Sequence, residues 1–303
     1  MPPRLAGVLG PVVTNFDPAG ALDADAFQTN VRIHLATGLQ GIVVAGSTGE
    51  APLLDEDERR RLVDLARVVV PKDRWLIAGT GAESTRQCIQ RSKDAAERGA
   101  DAVLVMAPHY YGAAMTNAAL DGHFRRVADQ SPIPLILYNI PKYMHFALEA
   151  ELVAELARHK NIIGMKDSSG DLTLLGGYLS AQSGQFTVLT GHGGSFCQAL
   201  RMGARGGILA VALFAGELSL AVLTSYARGD VDEAERAQRL LSPLAKEIVA
   251  ALGVAGVKAA LDHAGGGFHG GPVRAPLLPL DDVETKRVAD LVSTARQPQA
   301  ARR

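Results

Sequence analysis

Eight lysines lie along this 303-residue chain, and one of them differs from the others in its surroundings. Lys166 closes the apolar run Ile162-Ile163-Gly164-Met165 and is followed by Asp167-Ser168-Ser169-Gly170-Asp171. The other seven sit in helix-like or polar connecting stretches. A lysine facing apolar surroundings is partly desolvated, which favours the neutral amine. A neutral amine is what nucleophilic attack on a ketone requires. The same lysine could instead pair with Asp167 or another carboxylate, and its spacing leaves both readings open. Tyr138 closes a second apolar run, Leu135-Ile136-Leu137, ahead of Asn139-Ile140-Pro141. Its phenol could carry protons to and from a carbinolamine, or it could simply pack. A third candidate is Gly46-Ser47-Thr48-Gly49-Glu50, where two glycines flank two hydroxyls. Backbone N–H groups beside such donors can cradle a carboxylate or phosphate. No lysine follows this turn, so it is not a P-loop.

These groups can act together only if the chain brings the ends of its apolar runs to one place. Such runs recur every 25 to 35 residues or so: Val8–Val13, Gly41–Ala45, Trp75–Gly79, Ala102–Met106, Leu135–Tyr138, Ile162–Lys166, Thr187–Thr190 and Gly207–Val211. Between them, 23–37, 55–70, 84–99, 117–130 and 148–159 carry helical periodicity. Asp23, Asp55, Ser84 and Asn117 are the expected N-caps, with Glu58 completing a capping box on Asp55. Strands apolar on both faces that alternate with helices imply a parallel sheet. The expected fold class is α/β, a (β/α)8 TIM barrel with a C-terminal helical extension; a doubly wound open sheet is the alternative. Residues 1–228 form the expected catalytic barrel and 229–303 a helical domain, with helices over 232–252, 254–264 and 281–295. In such a barrel the active site lies at the C-terminal ends of the strands, where Lys166, Tyr138 and the Gly46–Glu50 turn all fall.

The formal net charge is −1, from 31 basic and 32 acidic residues. It provides no bulk field for nucleic acid or an anionic membrane. Cys88 and Cys197 are too few for a disulfide framework, and the histidines show no metal-ligand spacing. No G-x-G-x-x-G follows a strand, so neither a metal nor any other cofactor is expected. His109, beside Pro108, is read as a solvated loop residue rather than a general base. The N-terminus lacks a signal-like apolar run and the tail from Gln297 is expected to fray, so the expected location is cytoplasmic.

The sequence resembles the dihydrodipicolinate synthase / N-acetylneuraminate lyase family of class I aldolases. The matching pieces are Gly46–Glu50, Ala78-Gly79-Thr80-Gly81, Tyr110-Tyr111, Tyr138–Pro141 and Gly164–Gly170, in order and in register. Two C-terminal pieces also match, Val257–Leu261 (V-K-x-A-L) and Gly270–Pro276 (G-G-P-V-R-x-P). The resemblance implies that Lys166 forms a Schiff base with a 2-oxo acid and that Tyr138 relays protons. It further implies that Ser47 and Thr48 hold the carboxylate, with Gly46, Ser168, Gly191 and Ile208 as further substrate contacts. Tyr111 looks like the tyrosine lent across a dimer interface, and a homo-oligomer built as a dimer of dimers is implied.

Two departures bear on the substrate. The synthases carry an arginine two residues after the Tyr-Asn-x-Pro proline, where this chain has Tyr143; the loss of a bidentate carboxylate partner is not conservative. The neuraminate lyases place acidic residues after strand seven, where this chain reads Gly191-His192-Gly193-Gly194-Ser195, and Ala210 stands where a serine would help. The pattern is most similar to 4-hydroxy-2-oxoglutarate aldolases, through 108–111, 131–134 and 164–171. The expected activity is cleavage or condensation of a small 2-oxo acid; the alternatives are the synthase reaction and a sugar-acid lyase.

Overall fold

A computed structural model describes residues 4–296. The expected fraying tail, 297–303, and Met1 to Pro3 lie outside the described residues. Eight strands close into a barrel in which each pairs in parallel with the next and the last with the first. They are β1 (Gly7–Pro11), β2 (Gly41–Val44), β3 (Trp75–Gly79), β4 (Ala102–Met106), β5 (Leu135–Asn139), β6 (Ile162–Asp167), β7 (Thr187–Thr190) and β8 (Gly206–Ile208). Nearly every strand residue is buried, because side chains on one face fill the barrel and those on the other meet the helices.

The helices of the barrel are α1 (Ala24–Ala36), α2 (Glu56–Val69), α3 (Thr85–Glu97), α4 (Asn117–Gln130), α5 (Pro141–Met144), α6 (Ala150–Leu156), α7 (Leu172–Leu179), α8 (Phe196–Met202) and α9 (Gly216–Ala227). Asp23, Asp55 and Ser84 cap as expected, and the Asp55–Glu58 capping box forms. Asn117 does not cap α4. Thr116 does, its hydroxyl accepting the Ala119 N–H, so the start lies one residue earlier. α5 and α7 to α9 were not anticipated as separate helices.

β8 is also shorter than its apolar run. After Ile208 the chain turns into a 3-10 segment, Ala210–Leu213, whose Val211, Ala212 and Leu213 remain buried. An apolar run alone cannot distinguish a strand from a buried turn.

Beyond Arg228 come α10 (Val231–Leu244), a π-helical stretch Ala245–Ala250, α11 (Ala251–His263) and α12 (Asp282–Arg296). The single helix expected over 232–252 is therefore interrupted. Pro243, which has no N–H to donate, precedes the π turn, and Gly253 takes φ 60 and ψ −140. By length and composition alone the run Val231–His263 could cross a membrane. It buries Leu241, Leu244, Ile248, Val257 and Leu261 within this protein.

Candidate active site

Tyr138 and Lys166 are the penultimate residues of β5 and β6 and are direct partners in the strand register. Both are buried, at 4% and 5% exposure, with the Lys166 Nζ 4.3 Å from the centroid of the Tyr138 ring. Among the described residues Lys166 has no carboxylate within ion-pair distance and no hydrogen-bond partner. Asp167, the rival partner, points to the opposite face, as strand alternation requires. It accepts from Asn139 Nδ2 at 2.8 Å, from Ser169 Oγ at 2.8 Å and from the Ser169 N–H at 3.1 Å. Burial pushes its carboxyl above the ordinary range, while these donors pull the other way.

The turn after β2 is shaped by two residues in left-handed backbone conformation, Ala45 (φ 49) and Glu50 (φ 57). Gly46 O accepts from the N–H groups of Gly49 and Ala51, and Ser47 O accepts from that of Glu50. The turn thereby uses up its later donors internally. The N–H groups and hydroxyls of Ser47 and Thr48 are left without a partner among the described residues. Thr14, just past β1, pins the turn by donating its hydroxyl to Gly49 O at 2.7 Å. β3 supports it from beside: a Cβ on Gly79 would stand 2.1 Å from Ala45 O, so no larger residue fits. A cavity of about 40 Å³ lies between this turn and Tyr138, walled also by Gly81, Leu104 and Met106. It leads towards a cleft of about 700 Å³ lined by Ser47, Met106, His109, Tyr143, Val254 and Leu277, among others.

Gly191, after β7, packs directly on the lysine. A Cβ there would fall 2.7 Å from Lys166 Cε and 1.9 Å from Ser168 Oγ. Lys166, Ser168 and Gly191 are thus in one place, with the Gly191 N–H donating to Asp167 O at 2.5 Å. Ile208, the last residue of β8, is fully buried opposite Leu9. Beside them His192 shares a hydrogen bond of 2.8 Å with Ser195 Oγ, and burial lowers its pKa.

Tyr111 is not brought to this group within the chain. It is 71% exposed, meets the Tyr110 ring edge-on at 5.0 Å, and lines neither the small cavity nor the cleft. His109 is half-buried rather than free in solvent, with Nδ1 3.1 Å from Glu83 Oε1. Tyr143 borders the cleft, and burial raises its phenol pKa, helped by nearby Tyr138. Thr14 and Asn139 were not singled out in the sequence; the only signal was a polar residue directly after an apolar run. Among the described residues no three His, Cys, Asp or Glu side chains are arranged to hold a metal ion.

The model of the dihydrodipicolinate synthetase family matches residues 4–295. The chain belongs to that family. It is a class I aldolase-type enzyme, a carbon–carbon lyase, as the family's members are. A 4-hydroxy-tetrahydrodipicolinate synthase from Methanothrix thermoacetophila is 32% identical over 288 residues, which cover 95% of this chain and 96% of the relative. Among solved structures, a dihydrodipicolinate synthase from Bacillus anthracis superposes with a TM-score of 0.92 at 29% identity. It covers 98% of this chain and 100% of its own. A prophage protein of the same family from E. coli K12, solved in complex with pyruvate, gives 0.91 at 29% identity over 96% and 99% of the two chains.

Proposed function

We propose that the enzyme captures a 2-oxo acid as an imine on Lys166 and uses that imine to break or make a carbon–carbon bond. The observation that carries this reading is the buried Lys166 amine, with no partner among the described residues, above Tyr138. In the proposed sequence the substrate carboxylate docks on the free N–H groups and hydroxyls of Ser47 and Thr48. The Lys166 amine adds to the C2 ketone. Tyr138, relayed through Ser47 and a Tyr111 from a second copy, delivers the proton with which the carbinolamine hydroxyl leaves as water. The resulting iminium accepts the electron pair of the breaking C3–C4 bond, while the Tyr138 phenolate takes the C4 hydroxyl proton and C4 becomes an aldehyde. The enamine left on Lys166 is protonated at C3, and water then releases pyruvate. Ser168, Gly191 and Ile208 border the carbons beyond the ketone.

For the finer activity we favour 4-hydroxy-2-oxoglutarate cleavage, a small substrate suited to the glycine-rich loop after β7. A second reading, condensation of pyruvate with aspartate semialdehyde, is favoured by relatives that are 4-hydroxy-tetrahydrodipicolinate synthases. Tyr143 speaks against it, since a phenol stands where that reaction would want a guanidinium. Pyruvate release from 4-hydroxy-2-oxoglutarate and pyruvate consumption with aspartate semialdehyde should be timed on one preparation. Faster release supports the favoured reading, faster consumption supports the second, and neither reaction with any 2-oxo acid would defeat both.

A further inference from the structure

Two sequence pieces, Val257–Leu261 and Gly270–Pro276, take no part in this chemistry, yet they meet at Glu50, the end of the cradle turn. Lys258, on α11, is 1% exposed and brings Nζ to 2.6 Å from Glu50 Oε1. The approach is off the direction of a good hydrogen bond, so the attraction is chiefly that of opposite charges. Nζ also donates to Pro272 O at 2.6 Å and lies 4.7 Å from the centroid of the Phe16 ring. The second Glu50 oxygen accepts the Arg274 N–H at 2.8 Å. The Arg274 guanidinium lies over the same Phe16 ring at 4.0 Å and pairs with Glu58.

Stability is a weak reason for such a pair, because well-packed apolar residues often do as well where two charges are buried. Glu50 also holds a left-handed backbone (φ 57), which a non-glycine residue adopts only when its surroundings impose it. Here the carboxylate is gripped by Lys258 on one oxygen and the Arg274 backbone on the other. The Glu50 N–H is bonded to Ser47 O at 3.2 Å, so any rotation of Glu50 is passed to Ser47 and Thr48.

We propose that Glu50 and Lys258 are positioning residues that fix the direction in which the Ser47 and Thr48 N–H groups face a substrate carboxylate. This rests on the cradle reading above. The test compares capture of pyruvate and of its neutral methyl ester, by borohydride reduction and intact mass, in the unaltered chain and in Glu50→Gln. The amide keeps the shape and an acceptor but removes the charge that holds Lys258. The half-saturating pyruvate concentration should rise about tenfold while that of the ester changes less than about twofold. Equal weakening of both, or no change in either, would overturn the inference while leaving the proposed function intact. Lys258→Arg, which keeps the charge but not the geometry, should show the same selective loss. Failure of both variants to fold would also overturn the inference, since the pair would then support the fold and not the aim of the cradle. No pyruvate capture by the unaltered chain would remove the function and the inference together.

Discussion

Lys166 and Lys258 are both buried lysines of one molecule, at 5% and 1% exposure, and both side-chain nitrogens lie near an aromatic ring. Their surroundings differ in what else is offered. Lys258 has a carboxylate, a carbonyl and a ring, and burial lowers its pKa while the Glu50 carboxylate opposes that shift. Lys166 has the face of Tyr138 and, among the described residues, no anion or acceptor. Burial by itself therefore does not make a nucleophile. A lysine held by a full set of partners is fixed by them, whereas one left without them, against a tyrosine that walls a cavity, is available to a substrate.

The largest effects should separate the two lysines. Lys166→Ala should abolish turnover, with a folded circular dichroism spectrum; retained activity would mean that another amine does the chemistry. Lys258→Met should instead destabilise by about 3–5 kcal/mol in urea titration, because it strands the Glu50 charge. Unchanged stability would contradict that expectation. Tyr138→Phe should lower kcat by ~100-fold, the effect of removing a proton carrier, with a smaller change in KM. Unchanged kcat would remove the relay.

A buried base with no partner offers a smaller test of the same idea. His34 is fully buried against Phe268 with neither ring nitrogen bonded among the described residues, and burial pushes its pKa down from 6.5 to about 3. The unfolded chain therefore binds the proton more readily than the fold between those values. The stability associated with the neutral ring is fully present above about pH 6.5 and declines as pH falls below it, by at most ~1.4 kcal/mol per pH unit. Urea midpoints of the unaltered chain and His34→Leu should diverge in their pH dependence between pH 7.5 and pH 5. Parallel curves would show that His34 is not the titrating group.

That Lys166 and Tyr138 meet was legible in the sequence because each ends an apolar strand, and parallel barrel strands put their C-terminal ends at one rim. The turn proposed as a cradle stood out by its two hydroxyls between glycines. Its free donors were not legible, since they depend on how Gly46 and Ser47 carbonyls take up the other N–H groups. The Glu50–Lys258 contact escaped because Lys258 reads as one more helical lysine, and nothing local ties an α11 residue to the turn after β2. The end of β8 and the cap of α4 failed for lesser reasons: an apolar run has no strand signature of its own, and Thr116 and Asn117 are both good caps. Tyr111 is a different case, because its exposed position gives it work only if a second copy of the chain covers it.

Lys166, without a partner among the described residues, should be the reactive lysine. Pyruvate and borohydride followed by intact mass and peptide mapping test this most directly. One pyruvyl adduct per chain, on Lys166, is the expected result. An adduct on Lys258 or elsewhere, or none on the folded protein, would contradict it.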